Sequence, residues 1–293
     1  MKSSSRRSAI KTLAGTALTF SVIDSFAAQM EAAEKTVYAP LKGRINHAVC
    51  KWCYGKIPLE DFAKATKDMG ITGIDLLDPN QWDVVKKYGL TCSMAQGAGK
   101  GINDGFNDPK FHDELIASYE AIFPKLKNAG LTQVICFSGN RRGMDDEKGL
   151  ENCAVGLKKL MSSAEKHGVT MVMELLNSRV DHKDYMCDKS AWGVELCKRV
   201  GSERFKLLYD IYHMQIMEGD IIRTIRRDHQ YFAHYHTGGN PGRNEIDNGQ
   251  ELYYPAIMQA IVDTGFKGFV AQEFIPKRDP LTSLRESIQI CDV

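Results

Sequence analysis

The stretch FKLLYDIYHMQIMEGD, residues 205–220, decides how this chain folds. A mostly apolar run without alternation, FKLLY, leads straight into Asp210, and His213 follows three residues later. Asp-x-x-His has two readings. On a helix the two polar side chains share a face. At a strand end they enter one pocket, the Asp from the strand and the His from its loop. A short continuous apolar run bounded by polar residues fits a parallel strand buried on both faces. The expectation is a strand over 205–210, a loop through His213, and a helix from 220.

The same rhythm repeats on either side. Apolar β-type runs fall at 45–49, 73–77, 90–94, 133–137, 170–174, 205–210, 231–236 and 268–273. Amphipathic stretches fill the gaps at 59–69, 81–88, 110–128, 146–167, 191–200, 220–227, 255–263 and 281–290. Gly follows several of these, as in His167-Gly168 and Val200-Gly201, where a left-handed residue ends a helix at low cost. Strict alternation of eight strands and eight helices predicts a single α/β domain, a (β/α)8 TIM barrel over 43–293. No Gly-rich phosphate loop opens the first helix, so the dinucleotide fingerprint is missing.

Composition narrows the classes. The chain has 293 residues, 43% of them hydrophobic, and a formal net charge of +1. That suffices for one large barrel core. A sequence pI of about 7.6 and no basic stripe argue against a nucleic-acid partner. No long apolar run predicts a membrane span. The leader MKSSSRRSAIKTLAGTALTFSVIDSFAAQ carries Arg6-Arg7, an apolar run from Leu13 to Ile23, and Ser25-Phe26-Ala27 as a small-x-small cleavage site. This order predicts a twin-arginine-type signal over 1–27, a short linker over 28–42, and a periplasmic destination; a disordered basic tail is the bland alternative. Cleavage would remove Lys2, Arg6, Arg7, Lys11 and Asp24 and take the formal charge from +1 to −2. The eight cysteines show no disulfide framework, and Cys50-Lys51-Trp52-Cys53 lacks a second pair to complete a zinc or redox site.

The chemistry-bearing residues stand where strands stop. VTMVME ends on Glu174, FKLLYD on Asp210, YFAHYH on His236 and FVAQE on Glu273. In a barrel the C-terminal strand ends meet at one mouth. Three carboxylates and an imidazole gathered there repel unless a cation neutralises them. Mostly oxygen ligands suit Mg²⁺ or Mn²⁺, with Zn²⁺ a further option. Each residue also has a structural reading. Glu174, Asp210 or Glu273 could cap a helix, and His236 could be a satisfied core histidine, but four such coincidences in register are improbable together. Gln96, Asn140, Arg141, Arg142, Asn177, Trp52 and Tyr54 also fall near strand ends, where loop and core roles compete with pocket roles.

Around MELLNSR (173–179), YDIYHMQIMEGD (209–220), the NPGR of HTGGNPGRNEI (236–246) and QEF (272–274), the chain resembles the hydroxypyruvate isomerase family, within the xylose-isomerase-like sugar isomerases and epimerases. The resemblance covers about residues 43–276. It implies one divalent metal held by Glu174, Asp210, His236 and Glu273, with Glu174 and Glu273 as the acid–base pair. It further implies that His213 contacts a substrate oxygen and that Arg243 holds a carboxylate. A keto acid or keto sugar is then the expected substrate, and a homodimer or homotetramer the expected assembly. The expected reaction moves a proton between adjacent carbons through an enediolate, as between hydroxypyruvate and tartronate semialdehyde. One feature departs from that family: the strand-seven ligand is His236, where hydroxypyruvate isomerases often carry Gln and ketose 3-epimerases carry His. Ketose 3-epimerisation is therefore the main alternative. A non-catalytic periplasmic sugar-binding barrel is another. An abasic-site endonuclease would need more histidines at strand ends than this chain has.

Overall fold

Eight strands alternate with helices along the chain, and every paired pair runs parallel. A computed structural model describes residues 38–293, of which Leu41–Val293 form one unit. The expected leader and most of the linker lie outside the described residues. The strands are β1 (Asn46–Cys50), β2 (Gly73–Asp75), β3 (Thr91–Cys92), β4 (Gln133–Cys136), β5 (Thr170–Glu174), β6 (Phe205–Asp210), β7 (Phe232–Thr237) and β8 (Phe269–Gln272). The sheet order is β3-β2-β1-β8-β7-β6-β5-β4. Single parallel bridges from Ala95 to Leu77 and to Val134 join the two edges, so the sheet curls round into a (β/α)8 barrel.

Nine α-helices are present among the described residues: α1 (Leu59–Asp68), α2 (Trp82–Lys86), α3 (His112–Ala129), α4 (Asp146–His167), α5 (Ser190–Val200), α6 (Ile211–Met217), α7 (Ile221–Asp228), α8 (Tyr254–Asp263) and α9 (Pro280–Cys291). Helix α4 shows how the sequence sets them. Asp145 accepts the Lys148 N–H at its start, and Gly168 ends it at φ 70°. Between them Leu150, Cys153, Leu157, Leu160 and Ala164 recur at helical spacing and are buried against the sheet.

Two differences from the sequence reading affect the site. The segment after β6 is not a loop: it turns at once into α6, so β6 is followed by two helices, α6 and α7. The second strand is shorter than its apolar run. The ladder with β1 ends at Asp75, where Leu76 adopts a left-handed backbone at φ 61° and turns the chain, and Leu77 keeps only a single bridge to Ala95.

Strand periodicity then aims the side chains. Met94, Ile135, Val172 and Leu208 pack together inside the barrel, and Ala48, Cys50 and Ala271 form a second internal group. Successive side chains of a strand alternate between faces. Val172 therefore shares its inward face with Glu174, Leu208 with Asp210, and Ala271 with Glu273. Register brings Asp210 opposite His236 and His236 opposite Ala271. The apolar layers form the floor, and the polar residues two positions on lie above it.

Candidate metal and acid–base site

Glu174, Asp210, His236 and Glu273 each offer a ligand atom, all within 4.8 Å of one another, and all four residues are buried. The Nδ1 of His236 lies 3.2 Å from Glu174 Oε1, 2.6 Å from Glu273 Oε2 and 3.9 Å from Asp210 Oδ2. Burying ionised carboxylates costs several kcal/mol each unless they are paired. The single guanidinium among them cannot balance three. This donor set, three carboxylates and one imidazole nitrogen converging on one point, fits a hard or borderline divalent cation.

The imidazole is held from behind. On its far side, His236 Nε2 lies 3.1 Å from Asp75 Oδ2, at the end of β2. Asp75 also receives His234 Nε2 at 2.5 Å and the Ser93 hydroxyl. Burial alone would raise the Asp75 carboxyl. The charge of His234 and the hydrogen bonds from both histidines outweigh it and hold Asp75 well below the usual range. A carboxylate that accepts from Nε2–H leaves Nδ1 facing the cluster, the arrangement that orients metal-binding histidines. Cys50 Sγ also lies 3.6 Å from Nε2.

The two glutamates are pushed apart. Burial raises the Glu174 carboxyl; the His236 hydrogen bond offsets part of this, the Glu273 charge adds to it, and the result is about 7. Glu273 is buried too, yet His236 and Arg243 hold it well below the carboxylate range, helped by the indole N–H of Trp52 at 2.6 Å. Opposite shifts in adjacent carboxylates let one act as a proton acceptor and the other as a donor.

Arg243 lies deeper than a loop position suggests. Its Nη2 donates to Asp210 Oδ2 at 2.7 Å and to Glu273 Oε2, and its guanidinium carbon sits 4.8 Å from the centre of the Tyr212 ring. His213 stands on α6, with Nε2 2.8 Å from Arg243 Nη1 and Nδ1 2.6 Å from Asn177 Nδ2. Burial, then the Arg243 charge, pushes the His213 imidazole well below its usual range.

A cavity of about 830 Å³ opens above these residues, with Glu174, Glu273, His213 and Arg243 in its wall. Among the weaker candidates, Trp52 and Gln96 also line it, and Asn103, which the sequence did not single out, joins them. Tyr54 does not: it is buried and stacked on Phe62 at 4.9 Å. Arg141 pairs with Asp146 and Asp188 at 2.9 and 3.1 Å, Arg142 pairs with Asp104, and the Asn140 carbonyl accepts from Asn107. The CxxC cysteines are free thiols. Asp75 is the partner that sequence reasoning missed, and Trp52, expected as pocket wall or core, also supplies an indole N–H to Glu273. Asp75 lies inside an apolar run, and Trp52 lies in a short 3₁₀ turn over Lys51–Tyr54.

Known proteins agree with this architecture. The 2-oxo-tetronate isomerase of Cupriavidus necator is 34% identical over 128 residues, 44% of this chain and 47% of that protein. The chain thus spans about half the length of the first curated relatives it matches. The hydroxypyruvate isomerase of Escherichia coli is 26% identical over 238 residues, covering 78% of this chain and 91% of its own. A solved structure described as an AP endonuclease, family 2, from Brucella melitensis superposes with a TM-score of 0.75 at 21% identity, over 82% of this chain and 97% of its own, a likeness of fold. The sequence profile described as "Xylose isomerase-like TIM barrel" matches residues 54–292. On that match, the chain belongs to the xylose isomerase-like TIM barrel family.

Proposed function

We propose that the protein is a metal-dependent isomerase of a keto acid or keto sugar, moving a proton between adjacent carbons through an enediolate. One observation carries this reading: Glu174 and Glu273 share one buried cluster, and their carboxyls are shifted in opposite directions. The similarity to a 2-oxo-tetronate isomerase and a hydroxypyruvate isomerase supports it. Glu174, Asp210, His236 and Glu273 would hold the divalent cation, Mg²⁺ or Mn²⁺. When bound, that ion supplies Lewis acidity to a substrate carbonyl and offsets the carboxylate charge.

The rest follows from the chain's own groups. Glu273, kept ionised, takes the proton from the carbon beside the carbonyl. Glu174, or Glu273 itself, returns a proton to the neighbouring carbon. His213 and Arg243 meet the substrate oxygens from the cavity wall. Acid–base catalysis of this type contributes roughly 10² to 10⁴-fold, and positioned charges and donors supply more of the rate. The test is a conversion assay with hydroxypyruvate, a four-carbon 2-keto acid and six-carbon ketoses, each with Mg²⁺ or Mn²⁺. Metal-dependent formation of an isomeric product supports the proposal. Tight metal-dependent binding without turnover across the panel would replace it with a binding module.

A second reading, ketose 3-epimerisation, uses the same two glutamates. The cavity favours it, because about 830 Å³ is several times what a three-carbon acid fills and lies in the range that holds far larger ligands. The substrate panel separates the two: an isomerase converts the 2-keto acids, whereas an epimerase converts a neutral ketose to its C3 epimer. We further propose twin-arginine export, carried by Arg6-Arg7 and the apolar run after them. Cell fractionation tests it, and retention in the cytoplasm with residues 1–27 attached would contradict it.

A further inference from the structure

The surroundings of His213 contain a hydrogen-bond conflict. Asn177, just beyond β5, is fully buried, and its Oδ1 accepts two backbone N–H groups, from Val180 at 2.9 Å and Asp181 at 3.0 Å. Those bonds fix which end of the amide is which, because a flipped side chain would aim two donors at two donors. The Nδ2 group therefore donates, to Asp181 Oδ2 at 2.7 Å and towards His213 Nδ1 at 2.6 Å. A neutral ring carries one proton, so either Nδ1 accepts from Asn177 or Nε2 accepts from Arg243. Asn177 is sealed inside the protein while Arg243 borders the cavity, so only on the Nε2 side can an incoming acceptor settle the conflict, and the proton belongs there.

That Nε2–H points at Arg243 Nη1, 2.8 Å away, and a guanidinium has no acceptor. Two donors face each other where the cavity wall begins. An unpaired buried donor is costly, and the arrangement is resolved when an acceptor oxygen lies between the two groups. We propose that Asn177 is a positioning residue that holds His213 as its Nε2–H tautomer, so that His213 and Arg243 converge as two donors on one substrate oxygen. The consequence is chemical. As an enediolate forms, negative charge builds on oxygen, and two fixed donors stabilise it more than they stabilise the ketone. Asn177 touches no substrate. It acts through the ring, and its own orientation comes from the turn that follows β5.

The assignment of substrate to this pair rests on the isomerase or epimerase reading above, but the tautomer does not. The test is long-range proton–nitrogen NMR of the ¹⁵N-histidine-labelled full chain at neutral pH. His213 is assigned through ring contacts with Tyr212 and His182, whose centroids lie 5.1 and 5.2 Å away. The expected spectrum shows a protonated Nε2 and a bare Nδ1. In Asn177→Asp combined with Asp181→Asn, the second change avoiding two facing carboxylates, the new carboxylate at 177 still accepts the two backbone N–H groups but takes a proton from Nδ1, so the ring pattern inverts. With a substrate from the panel above, that variant should lose about 10²-fold in kcat with little change in KM. A wild-type ring protonated on Nδ1 would overturn the proposal without any variant. So would an unchanged pattern in that double variant. If no substrate in the panel turns over, the isomerase reading fails while the tautomer result stands.

Discussion

Asp210 caps the helix that carries His213. Its Oδ1 accepts the His213 backbone N–H at 3.0 Å, while Oδ2 lies 2.7 Å from Arg243 Nη2 and 3.9 Å from His236 Nδ1. One carboxylate thus starts α6 and faces the metal-type cluster. The two functions separate by substitution. Asp210→Asn keeps an oxygen for the cap and removes the charge. Asp210→Ala removes both and should be less stable than Asp210→Asn by about 1 kcal/mol. Both variants should bind Mn²⁺ at least about 10-fold more weakly than wild type. Thermal melts and calorimetric titration read the two effects. Equal melting temperatures for the two variants would remove the cap from the account.

Glu174→Gln and Glu273→Gln each keep side-chain volume and lose the titrating group. Each should lower turnover by roughly 10² to 10⁴-fold and leave the circular dichroism spectrum unchanged. Near-normal rates in both variants would dismiss the acid–base assignment.

The sequence made these residues legible for a physical reason. Strands buried on both faces read as apolar runs, and a polar residue that ends such a run in four successive strands is conspicuous. Three features were not legible. Helix α6 begins directly on the last strand residue, and Ile211, Tyr212 and Met214 continue the apolar run, so its start left no mark. Asp75 ends β2, but Leu76 and Leu77 prolong the apolar run past it; only the left-handed turn at Leu76 shows where the ladder with β1 ends. Asn177 reads as an ordinary loop amide until its two backbone partners fix its orientation.

Asp75 yields a prediction of its own. It touches neither the cavity nor the other carboxylates, yet it accepts from the rear nitrogen of His236. Asp75→Asn should weaken Mn²⁺ affinity about 10 to 100-fold, the usual cost of losing a partner behind a metal-binding histidine. Affinity equal to wild type would mean that His236 is oriented by other contacts.

The metal-free protein should carry a pH signature. Glu174 titrates near 7 when folded, against an ordinary value of 4.5. A carboxyl raised on folding contributes stability that is complete below its unfolded pKa and is lost as pH rises through the folded one. Other groups act in the opposite sense: Asp75 and Glu273 are held low, and their contribution is lost only as pH falls. The difference between wild type and Glu174→Gln isolates the first effect. With chelator present, the melting temperature of wild type relative to Glu174→Gln should fall between about pH 5 and pH 8. A flat or rising difference would contradict the raised carboxyl. Adding Mn²⁺ should reverse the trend, because binding requires ionised Glu174 and releases its proton.

The central claim is proton transfer at carbon by a carboxylate pair that needs a divalent cation. Solvent exchange tests it most directly. The protein is incubated in D₂O with Mn²⁺ or Mg²⁺ and a panel of 2-keto acids and ketoses, and deuterium at the carbon beside the carbonyl is followed by NMR. The account predicts incorporation that disappears with chelator and falls sharply in Glu174→Gln and Glu273→Gln. Exchange at full rate in the chelated protein, or in both glutamine variants, would contradict it.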